Sequence, residues 1–313
     1  MKVFSKRLAI ACCLVGLIAF TAAYYSFPSL FKEPLLQLNR YLSALSEKTQ
    51  QVGPHNIHYL DGGSGAPVIL LHGIFAEKDH WVDFARQLTG SYRVIAPDLP
   101  GYGESGRLAD QSYGYAEQTQ HLKEFMDALG IGKAHLAGNS MGGTIAVLFA
   151  LRYPERVASI ALIGAPHGLR TPKQSQMDAL IDVGKSPLVA HNAAQFEQMM
   201  SFVFTKRPFL PYPILHAAEV DALRLAPSNE RLWNQQLNDR YLLDNRIGEL
   251  RTHTLALWGS DDRLFDVSGT QVLNARLKSP QIQVLTGIGH LPMMEAPKET
   301  SLIYLAFLKK LPL

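Results

Sequence analysis

The chain has 313 residues, of which 47% are hydrophobic and 18% are charged, so it can bury the core of one large α/β domain with an insertion or of two small domains. The net charge of +3 is small, and no basic stripe is interleaved with aromatic residues, which argues against a nucleic-acid partner. The only cysteines, Cys12 and Cys13, are adjacent near the N-terminus, so the body has no disulfide and no cysteine metal ligand.

Residues 8–27 form an uncharged, mostly apolar segment that follows Lys2, Lys6 and Arg7. About 20 such residues suffice for a transmembrane helix, so we expect residues 1–30 to be an uncleaved membrane anchor. The preceding positive charges predict a cytoplasmic N-terminus and an exported body, which faces the periplasm in a Gram-negative bacterium. A signal peptide cleaved after the small residues 21–23 is the alternative, and the protein is then secreted.

Residues 31–49 have the pattern of an amphipathic helix, and we expect the segment 31–54 to be a juxtamembrane helix. Its apolar positions are Leu35, Leu36, Leu38, Tyr41, Leu42 and Leu45, and its polar positions are Lys32, Glu33, Gln37, Arg40, Glu47 and Lys48. Such a helix lies on the bilayer or packs against the body, and the pattern favours neither arrangement.

From residue 55 onward, short apolar runs alternate with helical patterns. The runs typical of strands are residues 55–60, 67–71, 92–96, 134–137, 157–163, 254–258 and 281–285. One helical pattern ends near residue 88, and the others cover residues 115–129, 144–152, 268–277 and 298–311. Strands that alternate with helices predict an α/β fold with a mostly parallel sheet that is covered by helices on both faces.

This alternation stops over residues 167–251, which contain helical patterns at 194–203 and 230–243 but no strand followed by a helix. We therefore expect a helical cap between two parts of a core, residues 55–166 and 252–313. A cap inserted there lies over the carboxyl ends of the strands, where open α/β sheets bind ligands.

Residues 138–142, Gly-Asn-Ser-Met-Gly, have the form G-x-S-x-G between a strand-like run and a helical pattern. Strand, sharp turn and helix are the context of a nucleophile elbow, which predicts that Ser140 is a catalytic nucleophile. A glycine-rich turn with an incidental serine is the alternative for this segment taken alone.

A serine nucleophile requires a base that takes its proton and an acid that orients the base. Asp262 and His290 each follow a late predicted strand, in the chain order Ser, Asp, His of one large group of hydrolases. Asp261 and Asp266 are rival acids, although the Trp-Gly-x-x-Asp spacing favours Asp262. Taken singly, Asp262 also fits a helix cap and His290 a structural histidine.

The negative oxygen of the reaction intermediate must be bound by backbone N–H groups. The residue after the nucleophile, Met141, supplies one of them, and the loop after an early strand supplies the other. That loop begins with His72 and Gly73, so the amide of Ile74 is the expected second donor. A tight strand exit without this role is the alternative.

The motifs at residues 72–73, 98–105, 138–143, 258–262 and 289–297 together resemble the α/β-hydrolase superfamily over residues 56–311. More narrowly, residues 72–81 and 138–143 resemble the bacterial family V lipases and the membrane-anchored monoacylglycerol lipases of animals. One departure is Ile74, where those lipases often carry Phe. The resemblance implies that the chain is a serine esterase or lipase that acts on acylglycerols or other carboxylic esters, without a cofactor or a metal.

We expect Phe75 and the cap residues Phe202, Phe204 and Phe209 to contact a lipid or ester substrate, with ordinary helix packing as the alternative for each cap residue. A hydrolase or acyltransferase of other small acyl esters is a second interpretation, because water and alcohols compete for the same acyl-enzyme. A non-catalytic binding protein is a third, which the presence of Ser140, Asp262 and His290 argues against. The sequence indicates no oligomeric state.

Overall fold

The computed structural model describes residues 2–311, except for the side chains of residues 2–5, 7–9 and 165. The strands within this range are β1 Leu45–Val52, β2 His55–Gly62, β3 Pro67–Leu71, β4 Arg93–Pro97, β5 Ala134–Ser140, β6 Val157–Pro166, β7 Thr254–Gly259 and β8 Gln281–Leu285. The helices are α1 Lys2–Ser26, α2 Ser29–Leu42, α3 Val82–Ala85, α4 Tyr115–Ala128, α5 Met141–Arg152, α6 Gln176–Asp182, α7 Ala193–Val203, α8 Tyr212–Asn238, α9 Gly269–Arg276, α10 Pro292–Glu295 and α11 Pro297–Leu308.

The described strands form one sheet in the order β1-β2-β4-β3-β5-β6-β7-β8. All neighbours from β4 to β8 are parallel, whereas β2 runs antiparallel to both β1 and β4. The prediction of a mostly parallel α/β sheet is therefore confirmed. Because the strands from β3 onward run in one direction, the loops that follow β3, β5, β7 and β8 meet at one edge of the sheet.

Helices cover both faces of the sheet, as alternate side chains of one strand show. Ile69 and Leu71 of β3 belong to the apolar cluster that includes Phe149 of α5. Val68 and Leu70 of the same strand belong to the cluster on the opposite face, which also receives side chains of α3 and α11. A strand that is buried on both faces needs a continuous apolar run, which is why these strands were recognisable.

The prediction of one helix over residues 31–54 is wrong in its second half, because α2 ends at Leu42 and Leu45–Val52 forms β1. All eight residues of β1 pair with β2 across a two-residue loop at residues 53–54. Gly53 has a φ of +53°, the left-handed conformation that such a loop favours. The leucines that continued a helical spacing were misleading here, because strand pairing with β2 outweighs a weak local pattern.

The N-terminal helices contact the cap at its longest helix. The ring of Tyr25 in α1 lies 4.9 Å from the ring of Tyr212 in α8, centroid to centroid, and Tyr24 lies 5.4 Å from Phe31 of α2. Within residues 2–311 no single helix is both long enough and apolar enough to span a bilayer. The two helical segments Ile10–Ser26 and Ser29–Leu42 together have the required length and apolarity, but they are bent by 97° relative to each other.

The segment between β6 and β7, which we call the cap (residues 167–251), contains α6, α7 and α8. The helix predicted at 194–203 is present as α7. The pattern at 230–243 belongs to a much longer helix, α8, which begins at Tyr212 and continues through Pro227. Proline usually ends or kinks a helix, but α8 includes Pro227, so the predicted pattern covered only the C-terminal part of this helix and ran past its end at Asn238.

Candidate active site

Ser140 occupies a sharp turn between β5 and α5, with a φ of 52° and a ψ of −114°. A positive φ at a residue other than glycine costs about 1–3 kcal/mol and persists only where the surroundings impose it. Ser140 is buried, with 5% of its surface exposed. The strained turn is the backbone conformation expected of a nucleophile elbow.

The glycines on either side of Ser140 are required by close backbone contacts. A Cβ atom on Gly138 would lie 2.3 Å from the carbonyl carbon of Gly142, and a Cβ on Gly142 would lie 2.2 Å from the carbonyl oxygen of Leu71. Both distances are impossible for real atoms, so the two glycines permit strand and helix to approach. Glycine is therefore required at both positions of the G-x-S-x-G pattern because no side chain fits there.

Asp262 and His290 are hydrogen-bonded to each other in the interior. His290 Nδ1 lies 2.9 Å from Asp262 Oδ2, and the two side chains are 3% and 0% exposed. The other carboxylate oxygen, Asp262 Oδ1, accepts the backbone N–H groups of Leu264 at 2.8 Å and Phe265 at 3.1 Å. These two amides fix the rotation of the carboxylate, so that Oδ2 points at the imidazole.

The rival acids have other partners. Asp261 Oδ1 accepts the hydroxyl of Ser260 at 2.7 Å. Asp266 Oδ1 accepts the backbone N–H of Ser268 at 3.0 Å, in a local turn. Of the three carboxylates that the sequence offered, Asp262 alone is bonded to His290 in the described structure.

His290 is held in one tautomer by this arrangement. An ionised carboxylate only accepts hydrogen bonds, so Nδ1 of His290 carries the proton and Nε2 has a free lone pair. Nε2 is buried and has no hydrogen-bond partner among the described residues. A buried lone pair without a donor is the feature that a general base requires before its substrate proton arrives.

Asn139 ties the elbow to the loop of His290, a link that sequence reasoning missed. Its side-chain Nδ2 donates to the carbonyl of Ile163 at 2.8 Å and to the carbonyl of His290 at 3.1 Å. Because Asn139 directly precedes Ser140, this bond brings the nucleophile's turn against the histidine's turn. The motif G-x-S-x-G leaves this position open, so only the contacts identify its role.

Glu295 is a second contributor that the sequence did not reveal. Its carboxylate accepts the N–H of Gly289 at 3.0 Å, and also those of Thr205 at 3.1 Å and Lys206 at 2.7 Å. Burial raises the pKa of Glu295, while these backbone donors oppose the rise. The residue thus joins the end of α7 to the turn that carries His290.

The loop after β3 lies against the elbow at Gly73. A Cβ on Gly73 would lie 2.8 Å from Asn139 Oδ1 and 3.4 Å from Ser140 Cβ, so only glycine fits. The amide of Ile74 has no hydrogen-bond acceptor in the described part of the chain. Met141 is the first residue of α5, where a backbone N–H has no partner inside the helix.

The neutral imidazole ring of His72 stabilises this loop through two hydrogen bonds to the backbone. Its Nε2 accepts the N–H of Leu99 at 2.9 Å, so the proton lies on Nδ1, which donates to the carbonyl of Gly73 at 2.7 Å. Burial lowers the pKa of His72, which keeps the ring neutral. The histidine that begins the predicted motif is thus a structural support of the loop.

The four phenylalanines predicted to contact substrate have different environments. Phe75, with a φ of 56°, and Phe202 are half-buried against the main apolar cluster. Phe204 is 6% exposed and packs within the second cluster. Phe209 is 90% exposed on the surface of the cap, and its contact with the substrate stays a prediction.

Three side chains have metal-ligating atoms within 4.8 Å of one another among the described residues: Glu47, His58 and Glu104. The ammonium of Lys78 contacts Glu104 and lies 3.4 Å from Glu47 Oε1. A protein cation therefore already neutralises these carboxylates, and the group belongs to an ion-pair network.

Comparison with known proteins places this geometry in a family. Residues 66–200 match the α/β hydrolase fold family. A solved structure of a bacterial membrane phospholipase A, described as a virulence factor, is 36% identical over 97% of this chain and 98% of that chain, with a TM-score of 0.88. Monoacylglycerol lipase abhd6-B of Xenopus laevis is 27% identical over 95% of this chain and 92% of its own. Lipase 1 of Psychrobacter immobilis is 29% identical over 88% of both chains.

The chain belongs to the α/β-hydrolase family, as the sequence motifs predicted. It is a carboxylic ester hydrolase, similar to monoacylglycerol lipases and bacterial lipases.

Proposed function

We propose that the protein is a serine lipase or esterase that hydrolyses acylglycerols through a triad of Ser140, His290 and Asp262. The observation that carries the proposal is the buried bond between His290 Nδ1 and Asp262 Oδ2, which leaves Nε2 without a partner among the described residues, on a loop that Asn139 ties to the strained turn of Ser140. His55, His80 and His121 also have a buried ring nitrogen without a partner among the described residues, but of these four histidines only His290 has its other nitrogen bonded to a carboxylate. That combination fixes the tautomer and keeps one lone pair available, as a general base requires.

The first half of the reaction transfers the acyl group to the enzyme. Ser140 Oγ attacks the ester carbonyl while His290 Nε2 takes the hydroxyl proton of Ser140. The backbone N–H groups of Ile74 and Met141 bind the negative oxygen that forms. Asp262 stabilises the resulting imidazolium. The intermediate collapses when the bond to the alcohol oxygen breaks, and the imidazolium returns its proton to that oxygen.

Water completes the second half by the same groups. His290 deprotonates a water molecule, which attacks the acyl-enzyme, and the carboxylic acid leaves as Ser140 regains its proton. An alcohol in place of water would give a new ester, so transfer to other acceptors is the alternative activity of the same site.

Acylglycerols are the proposed substrates because the similar proteins include monoacylglycerol lipases and a bacterial lipase. Glycerophospholipids are a second candidate, which is favoured by the 36% identity with a membrane phospholipase A across nearly the whole chain. Both substrates offer the same carboxylic ester to Ser140 and differ only in the group attached to the alcohol.

We propose further that the chain is held at a membrane by its N-terminal helices, with the body on the exported side. The apolar face of α2, formed by Leu30, Leu38, Tyr41 and Leu42, is exposed and continues the apolar surface of α1. An apolar helix face beside an apolar anchor suits the boundary of a bilayer. N-terminal sequencing of the membrane fraction tests this proposal, since a mature N-terminus near Tyr24 would mean that the segment is cleaved.

Replacing the nucleophile tests the mechanism. We expect Ser140→Ala to lower the kcat for p-nitrophenyl butyrate by about 10³-fold or more, because removal of a serine nucleophile leaves only binding and oxyanion stabilisation. The control is Ser91→Ala, which removes an exposed serine and should leave turnover unchanged. Equal turnover in Ser140→Ala and wild type would refute the mechanism.

A substrate panel separates the candidate functions. Fatty-acid release is measured from mono-, di- and triacylglycerols and from a diacyl phosphatidylglycerol, each in the same detergent. A higher kcat/KM for the acylglycerols supports the proposed function, whereas a higher value for the phospholipid replaces it with the second candidate. Product formation with added glycerol as acceptor would reveal acyl transfer.

A further inference from the structure

Arg40 is a buried cation on a helix that the sequence placed at the periphery. It is 4% exposed, and its guanidinium binds both oxygens of Asp79 at 2.7 Å. It also binds Glu47 at 2.7 Å and Glu33 at 3.2 Å. Arg40 therefore faces the body together with Leu36, while Leu30, Leu38, Tyr41 and Leu42 of the same helix are exposed.

The carboxylates around Arg40 more than offset its burial. Burial lowers the pKa of Arg40, but the bond to Asp79 and the charges of Asp79, Glu47 and Glu33 outweigh that effect and raise the pKa above its usual value. A bidentate pair between Arg and a carboxylate is among the most directional contacts in proteins. The Arg40–Asp79 pair can therefore fix the position of both segments that carry it.

Asp79 lies in the loop of residues 72–81, which carries the proposed oxyanion donor Ile74. Between β3 and residue 78 this loop has no helix or strand, apart from one turn in which the N–H of Ala76 donates to the carbonyl of Gly73. In its middle, Ile74 and Phe75 pack against the main apolar cluster, and polar contacts hold its two ends. The first end is held by His72, as described above.

The far end of the loop is held by buried charges. Lys78 is 1% exposed, and its ammonium lies 3.0 Å from Asp98 Oδ2, while its backbone N–H donates to Asp98 Oδ1 at 2.7 Å. The next residue, Asp79, receives Arg40 from α2. The loop is therefore fastened to the sheet by Lys78 and to the N-terminal helix by Asp79.

We propose that Arg40 is a positioning residue for catalysis, through which α2 holds the loop of residues 72–81 with Ile74 aimed at the oxyanion. This role rests on the proposed function, since it requires that Ile74 donates to the reaction intermediate. On this proposal α2 contributes no group that touches the substrate, but it supports the active site by fixing the loop that carries Ile74.

Loss of the pair should impair transition-state binding more than substrate binding. Removing Arg40 leaves the carboxylate of Asp79 with only the more distant ammonium of Lys78, at 3.8 Å, as a cation among the described residues, and a buried charge that has lost its hydrogen-bonded partner moves toward water. The loop moves with it, and displacement of a catalytic group by about 1 Å can cost on the order of 100-fold in rate. Ground-state binding of an apolar acyl chain does not depend on the amide of Ile74, so KM should change little.

The test compares full-length variants in detergent with p-nitrophenyl butyrate. We expect Arg40→Met to lower kcat by about 10- to 100-fold at nearly unchanged KM, and Arg40→Lys, which restores the charge without the bidentate geometry, to recover part of that loss. Asp79→Asn should lower kcat as Arg40→Met does, and the double variant should be no worse than either alone, because both remove one contact.

The matched control is Arg86→Met. Arg86 also binds α2, through Asn39 at 2.6 Å and through Ser43, the residue after the helix, at 3.1 Å, but it has no hydrogen bond to the loop in the described structure. Its kcat should stay within about 2-fold of wild type. An equal loss of kcat in Arg86→Met and Arg40→Met would mean that any loosening of α2 has the same effect, which would overturn the specific role of Arg40.

A folded Arg40→Met with wild-type kcat also overturns the inference. If Arg40→Met does not fold, Arg40→Lys and Asp79→Asn decide, and wild-type kcat in both overturns it. Ser140→Ala is assayed in the same series: if Ser140→Ala stays active, the proposed function itself has failed, whereas an inactive Ser140→Ala beside a fully active Arg40→Met refutes only the positioning role.

Discussion

The orientation of Asp262 leads to a sharp prediction for Asp262→Asn. Two backbone N–H groups, of Leu264 and Phe265, point at Oδ1, so the amide oxygen of the asparagine must occupy that position. Its NH₂ group then faces His290 Nδ1 in place of a carboxylate oxygen. In the opposite rotamer the NH₂ group would face the N–H groups of Leu264 and Phe265. Two buried hydrogen bonds would then be lost, at a cost of about 1–3 kcal/mol each.

The consequence is a histidine in the wrong tautomer. Facing a donor, Nδ1 of His290 must accept, so its proton moves to Nε2 and the lone pair that Ser140 needs is lost. The analogous change in another serine hydrolase lowers kcat by about 10⁴-fold, which corresponds to about 5 kcal/mol of activation free energy. We expect a loss of this order here, with little change in thermal stability, because the replacement keeps the shape and both backbone hydrogen bonds.

The assay is steady-state hydrolysis of p-nitrophenyl butyrate at pH 7.5 or thereabouts, with the melting temperature measured in parallel. Asp261→Asn is the matched control, since within the described residues the carboxylate of Asp261 bonds only to Ser260. The reasoning is refuted if Asp262→Asn retains kcat within about 10-fold of wild type, or if Asp261→Asn loses as much as Asp262→Asn.

Two further predictions concern pH and the cap. Burial lowers the pKa of His80 and of His167 to about 4, so the stability that comes from burying them neutral is complete above pH 6.5 and is lost as the pH falls from 6.5 towards 4. At pH 5 each ring lowers the free energy of unfolding by roughly 2 kcal/mol. Urea unfolding at pH 7 and pH 5 should therefore show a smaller change in the free energy of unfolding for His80→Gln than for wild type, and equal changes would contradict the prediction. Phe209→Ser should leave kcat/KM for a dissolved short-chain ester unchanged, because Phe209 is 90% exposed, and a clear loss would show that the side chain reaches the substrate.

Local sequence patterns sufficed for the parallel core and for the residues of the candidate site. Strands buried on both faces require continuous apolar runs, as in Pro67–Leu71, whose predicted and observed bounds agree. The elbow is equally local, since glycines at positions 138 and 142 are demanded by contacts within and around one turn. Ser140, Asp262 and His290 follow from their places after strands, because parallel strands end at one edge.

Elements at the margin of the sheet depended on partners that are distant in sequence. The polar segment Leu45–Val52 is a strand only because β2 offers its edge, and α8 continues past Pro227 only within its packed environment. A local pattern cannot report such pairing, since the free energy comes from hydrogen bonds and contacts with the other segment.

Sequence motifs thus indicated the family, the parallel part of the sheet, Ser140 and His290, and they favoured Asp262 without excluding its rivals. The tertiary structure alone decided that Arg40 and Lys78 are buried, because a charge on an amphipathic pattern is expected in water until its partners are known. It also decided that Asp262, and neither Asp261 nor Asp266, meets His290, because that choice depends on backbone N–H groups that rotate one carboxylate towards the ring.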